Sequence, residues 1–247
     1  MLGLSRSGNH AIADWIFAQA ARPKLFLNCA EGGTDPFASC RPLATGKGWR
    51  AEPDDADALT RHAERSLLIH SYEDSPIGYV LSDRLRQCHD AWLGPSRRRV
   101  FLLVLRDPFN LFASRRRMGR NLPTDFARDL WKSHARAALD PARLLPADSQ
   151  VVLYNRWSAD RAYRQHLADA LGLDFCDRAA DQVPSCAGGS SFDGTDYDGN
   201  AAAMATQDRW RHFADEEEFT GFFDSEMVEL SERLFDLETP RAMLAAS

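Results

Sequence analysis

The longest apolar run of the chain, "VFLLVL" at residues 100–105, shows no alternation with polar positions. A strand buried on both faces has that pattern, so the run predicts a central parallel strand. Pro108 stops it, and "PFNLFASRRRMGR" predicts a helix with proline in its first turn. Near the start, "NHAIADWIFAQAA" sets Ile12, Trp15, Ile16 and Gln19 on one helical face, with Pro23 beyond its end. "RSLLIHSYED" predicts a buried strand ending near His70, "IGYVLSDRLRQCHDAWL" a helix and "SQVVLYN" a third strand. "SADRAYRQHLADALG" predicts a helix with Ser158 as N-cap and Gly172 just past its end. Further helices are expected around 54–65, 124–139, 201–213 and 215–237, whereas 28–53 and 174–200 read as irregular.

Strands alternating with helices imply an α/β fold, a parallel sheet covered on both faces. Ligands of such sheets bind at the C-terminal ends of the strands. Three candidate sites fall at strand ends: the opening loop, His70 and Arg106.

Composition narrows the function. The net charge of −6 argues against a nucleic-acid polymer or an acidic membrane as main partner. No apolar run is long enough to span a bilayer, and the start lacks the charged-then-apolar pattern of a signal peptide. The five cysteines are scattered, with no CxxC pair and no zinc spacing, so free thiols in a cytoplasmic setting are expected.

"GLSRSGNH", residues 3–10, has Gly3 and Gly8 at the spacing of the phosphate loop GxxxxGK[ST]. Asn9 and His10 stand where a nucleoside triphosphatase carries its Lys and its magnesium-binding Ser or Thr. The positive charge has moved inside the loop, to Arg6. Such a loop can grip a phosphate through backbone N–H groups at a helix start, but it is not equipped for magnesium-dependent phosphoryl transfer, and no metal is expected.

"LSRSGNHAI" resembles the 5'-phosphosulfate-binding loop of sulfotransferases, with Arg6, Ser7, Gly8 and Asn9 on its core, Ser5 in place of the usual Pro and Ala11 near the usual Trp. "VFLLVLRDPFNLFASRRR" resembles the family's second motif, in which a strand-end Arg and a Ser eight residues later bind a 3'-phosphate; here these are Arg106 and Ser114. "VVLYNRW" is similar to the strand that carries a Tyr near the adenine, which points to Tyr154. "QDRWRHF" looks like the family's late G-D-W-K-N-H-F segment, but the R-K-G-x-x-G upstream of it is missing, leaving Arg209 or Arg211 to compensate. The resemblance implies a single domain over 1–247, a three-layer sandwich on a central parallel sheet of the P-loop-like sulfotransferase fold, its first strand very short or truncated. It implies 3'-phosphoadenosine 5'-phosphosulfate (PAPS) as donor, held by Arg6, Ser7, Gly8, Asn9, His10, Arg106, Ser114 and Tyr154, and a small-molecule or glycan acceptor.

Sulfuryl transfer needs a base for the acceptor proton and positive charge at the leaving phosphate. Arg6 suits the second role. For the base, "SLLIHSYED" resembles the strand ending in K-T-H whose His is catalytic in cytosolic-type sulfotransferases; His70 matches, Leu68 replaces the Lys, and Glu73 is the alternative. The basic run Arg115, Arg116, Arg117 and Arg120 offers further anion contacts or a solvated helix face. Two other functions stay open from the residues: a nucleotide or small-molecule kinase, and a non-catalytic nucleotide-binding protein.

Overall fold

The structure, a computed structural model, describes residues 1–31, 35–43, 46–52, 56–119, 125–185, 188–235, 237 and 239–244. Arg120 and Cys186 lie outside the described residues. The strands are β1 (Leu2–Gly3), β2 (Lys24–Asn28), β3 (Trp49–Ala51), β4 (Leu67–Glu73), β5 (Phe101–Leu105) and β6 (Ser149–Leu153). They form one sheet in the order β3-β2-β4-β1-β5-β6. β3 is antiparallel to β2, and every other pair is parallel. β1 spans two residues yet sits at the centre, Leu2 facing Tyr72 on one side and Leu103 on the other.

The helices that cover the sheet and frame its C-terminal edge are α1 (Asn9–Gln19), α2 (Asp83–Leu93), α3 (Pro108–Arg117), α4 (Asp125–Leu139), α5 (Tyr154–Ala159), α6 (Arg161–Leu171) and α7 (Ser225–Phe235). Successive side chains of a strand point to opposite faces, and the sheet is covered accordingly. On one face α1 buries Ile12, Trp15 and Ile16 against Phe26, Ile69 and Val104, beside Tyr154, Trp157 and Leu167 of α5 and α6. On the other, Leu85 of α2 and Ala137 of α4 pack on Leu2, Tyr72 and Leu103. The three-layer α/β architecture expected from the alternation is therefore present.

Several boundaries differ from the sequence reading. β4 runs three residues past His70, to Glu73. The helix expected over "IGYVLSDRLRQCHDAWL" breaks at Ser82, whose hydroxyl accepts from the Leu85 N–H and caps α2. Asp160, not Ser158, caps α6, accepting from the N–H groups of Ala162 and Tyr163. Ser158 instead belongs to α5, which begins at Tyr154 where a strand was expected. Of the expected helix at 54–65 the described residues hold the 3-10 turn Ala56–Leu59, and the expected helix at 201–213 is reduced to Ala201–Ala203 and Arg209–Phe213. The 215–237 helix is divided into Glu217–Thr220 and α7.

Candidate functional site

The C-terminal ends of β1, β2, β4 and β5 open into a cleft of about 1020 Å³, lined by residues that include Arg6, Gly8, Asn9, His10, Glu73 and Arg106. The volume is at the upper end of small-molecule sites. Its floor is the 3–8 loop. The Ser7 N–H donates to Leu4 O at 3.0 Å, closing a turn that contains the left-handed Arg6 (φ 77°), and Gly8, just past the turn, is left-handed as well (φ 90°). A left-handed residue on either side of an ordinary one is the backbone pattern of an anion-binding nest. Gly8 then leads directly into α1, so the loop meets a helix N-terminus.

Both glycines are demanded by close packing. A Cβ at Gly3 would lie 2.3 Å from Asn9 Oδ1 and 2.9 Å from the Val104 carbonyl. One at Gly8 would lie 2.2 Å from the Tyr154 ring. Tyr154, buried at the start of α5, thus lies against the loop, with the Arg106 guanidinium 5.1 Å from its ring centroid.

Arg106 and Ser114, paired by the resemblance at a spacing that lets them converge, do meet. Arg106 directly follows β5, Ser114 lies two turns into α3, and Arg106 Nη1 donates to Ser114 Oγ at 3.3 Å and to Arg6 O at 3.2 Å. Arg106 Nη2 donates to the Thr206 carbonyl. A second guanidinium joins them: Arg209 Nη1 donates to the same Ser114 Oγ at 3.1 Å. Arg106 and Arg209 are 3% and 6% exposed. Burial and then the neighbouring Arg106 charge push the Arg209 guanidinium down to about 10. Among the described residues the carboxylate paired with this cluster is Asp193, 3.4 Å from Arg209. Two buried guanidinium groups with one partly exposed carboxylate leave positive charge in excess, which an anion would offset.

The 188–194 turn lies over the 3–8 loop. Its Gly189 carbonyl accepts from Arg6 Nη2 at 3.1 Å, and its Ser190 hydroxyl accepts from Arg209 Nη2 at 2.7 Å. So Arg209, not Arg211, joins the site from the segment lacking the R-K-G; Arg211 is exposed and pairs with Asp208.

The structure does not bring His70 to the cleft. Its ring stacks on His89 of α2, with centroids 4.1 Å apart, on the opposite face of the sheet from α1. Desolvation, and next the His89 charge, hold this imidazole well below the usual histidine range. Glu73, three residues on and of opposite strand parity, does line the cleft. Its Oε1 accepts from Asn9 Nδ2 at 3.1 Å and its Oε2 from Arg41 Nη1 at 3.3 Å. His10 also lines the cleft, Nε2 lying 3.3 Å from Asn28 Oδ1. Ser7 is fully buried, its hydroxyl without a hydrogen bond.

The described residues of the basic run, Arg115, Arg116 and Arg117, are engaged elsewhere. Arg115 pairs with Asp74 at 2.6 Å, Arg116 with Glu216 and Glu218, and Arg117 lies over Phe192. Asp74 also accepts from the Ser5 N–H at 3.1 Å, so the Arg115 pair braces the 3–8 loop. Sequence reasoning missed Arg41, which lies in an irregular segment, and gave no role to Asp74, the last residue of "SLLIHSYED".

No family model and no curated protein matches the sequence. Among solved structures the chain is similar to the sulfotransferase domain from the Synechococcus PCC 7002 olefin synthase, with a TM-score of 0.46 and 21% identity, over 72% of this chain and 61% of that one. The chain thus spans less than two thirds of that domain. No helix among the described residues is long and apolar enough to cross a membrane.

Proposed function

We propose that this chain is a sulfotransferase that takes PAPS as donor and transfers its sulfuryl group to a hydroxyl or amine acceptor. The observation that carries the reading is the convergence of Arg106 and Arg209 on Ser114, beside a phosphate loop that has Asn9 and His10 in place of Lys and Ser or Thr. A donor with a phosphosulfate at one end and a separate phosphate on its ribose needs two anion sites and no magnesium. The Gly3–Gly8 loop, with Arg6 and His10, supplies the first; Arg106, Ser114 and Arg209 supply the second. Tyr154 backs both, lying between Gly8 and Arg106.

We assign the base to Glu73 rather than His70, because its carboxylate lines the cleft where His70 does not. Glu73 takes the acceptor's proton while the acceptor oxygen or nitrogen bonds to sulfur. The sulfur–oxygen bond to the 5'-phosphate breaks, its electron pair staying on the phosphate oxygen, where Arg6 offsets the charge.

The test is calorimetric titration with 3'-phosphoadenosine 5'-phosphate (PAP), with and without magnesium, on the wild type and Arg106→Ala. Magnesium-independent binding that Arg106→Ala loses is the expected result. Binding of ATP only with magnesium would favour a kinase and overturn the proposal.

A further inference from the structure

We propose that the Asn9 side chain positions Glu73 and is not itself a ligand of the donor. This inference rests on the sulfotransferase reading only in naming Glu73 the base. The position after the second glycine of a phosphate loop ordinarily faces the anion, and the resemblance implies that for Asn9. The side chain is committed elsewhere. Asn9 is 3% exposed, and its Nδ2 donates to Leu4 O at 3.0 Å and to Glu73 Oε1 at 3.1 Å. An amide NH2 has two hydrogens, so both are used. The remaining Oδ1 is an acceptor, buried without a partner against Gly3, and it offers an anion nothing. The flipped amide would set Oδ1 against two acceptors, so the orientation is fixed by its surroundings.

The consequence is a rigid link. Asn9 begins α1, Leu4 starts the turn of the loop, and Glu73 ends β4. One side chain joins all three, so the carboxylate is registered to the loop that would hold the phosphosulfate. Arg41 on the other oxygen is half exposed and holds it less firmly. Gly3 completes the arrangement, since any larger residue there would displace the Asn9 amide.

The test uses PAP affinity by calorimetry and the slow hydrolysis of PAPS to PAP, in which water takes the acceptor's place. Asn9→Ala, Glu73→Gln and the double variant are compared with the wild type. Asn9→Ala is expected to bind PAP within about threefold of wild type and to hydrolyse PAPS at least about tenfold more slowly, and the double variant is expected to be no slower than Glu73→Gln, because the two act as a unit. A loss of PAP affinity of about tenfold or more in Asn9→Ala, unchanged hydrolysis, or losses that multiply in the double variant would overturn the proposal. Asn9→Ser repeats the series should Asn9→Ala melt early. Failure of the wild type to bind PAP or turn over PAPS would sink the sulfotransferase reading separately. The Asn9 side-chain amide resonances then decide the contact. They move in Glu73→Gln if the link exists, and unmoved resonances reject it.

Discussion

Arg106 and Arg209 donate to one oxygen, Ser114 Oγ, at 3.3 and 3.1 Å, although the two side chains come from positions 103 residues apart and carry the same charge. Holding like charges together in a desolvated place is unfavourable unless an anion joins them. Replacing Arg209 by Met should therefore separate ligand binding from stability. PAP affinity is expected to fall at least about tenfold, the worth of one charge-assisted contact. The melting temperature without ligand should stay level or rise, and the stabilisation by PAP should shrink. Differential scanning fluorimetry with a PAP series reads both, and an early-melting variant with intact PAP affinity would contradict the argument.

The glycine at position 8 is required by Tyr154 as well as by its own backbone. A Cβ there would meet the ring at 2.2 Å and would sit at φ 90°. Gly8→Ala should weaken PAP binding at least about tenfold and destabilise the fold by about 1–3 kcal/mol. In a Tyr154→Ala background the steric part disappears and only the backbone strain remains. The second effect of Gly8→Ala should then be smaller than the first, and equal losses in both backgrounds would show that the ring does not matter.

Placement of the base gives a sharp contrast between two neighbours on β4. His70→Ala should leave PAP affinity and PAPS hydrolysis unchanged, because the ring packs on His89 behind the sheet. Glu73→Gln should keep PAP affinity and lower hydrolysis by about a hundredfold, the usual worth of a general base. Measuring both rates as PAP release decides the assignment, and a large loss in His70→Ala with an active Glu73→Gln would return the role to His70.

That contrast also shows where the sequence was legible. The buried run ending at Arg106 fixed its strand, because Pro108 marks the stop and no alternation leaves a face undecided. Ser114 followed from the resemblance to the Arg-and-Ser motif, and helical spacing, two turns into the next helix, made its approach to Arg106 feasible. "SLLIHSYED" has no such stop, and a three-residue error at its end changes more than length. Side chains alternate across a strand, so moving from residue 70 to 73 moves the site to the other face of the sheet. Arg209 and Arg211 look alike in "QDRWRHF"; only the packing of the 209–213 turn on α3 buries one and leaves the other in solvent. Arg41 belongs to an irregular segment with no periodicity, so nothing local announced its approach to Glu73.

The buried histidines predict acid lability in a defined window. His134 of α4 is fully buried, with Nε2 3.2 Å from the Ser75 carbonyl. Desolvation lowers it from 6.5 to about 4, outweighing the Ser75 contact. The folded protein thus keeps this imidazole neutral where the unfolded chain takes up a proton. Stability is whole above about pH 6.5 and is lost as the pH falls toward about 4, by about 3 kcal/mol for this group alone. His70 and His89 are lowered too, chiefly by burial, and add in the same direction. The carboxylates of Asp177, Asp224 and Glu226 are held below their usual range, so their loss falls at lower pH. Urea unfolding between pH 7.5 and 4.5 should therefore show a falling midpoint, and His134→Gln, which keeps a donor for Ser75, should flatten it. An identical pH slope in His134→Gln would mean that His134 is not held neutral in the folded protein.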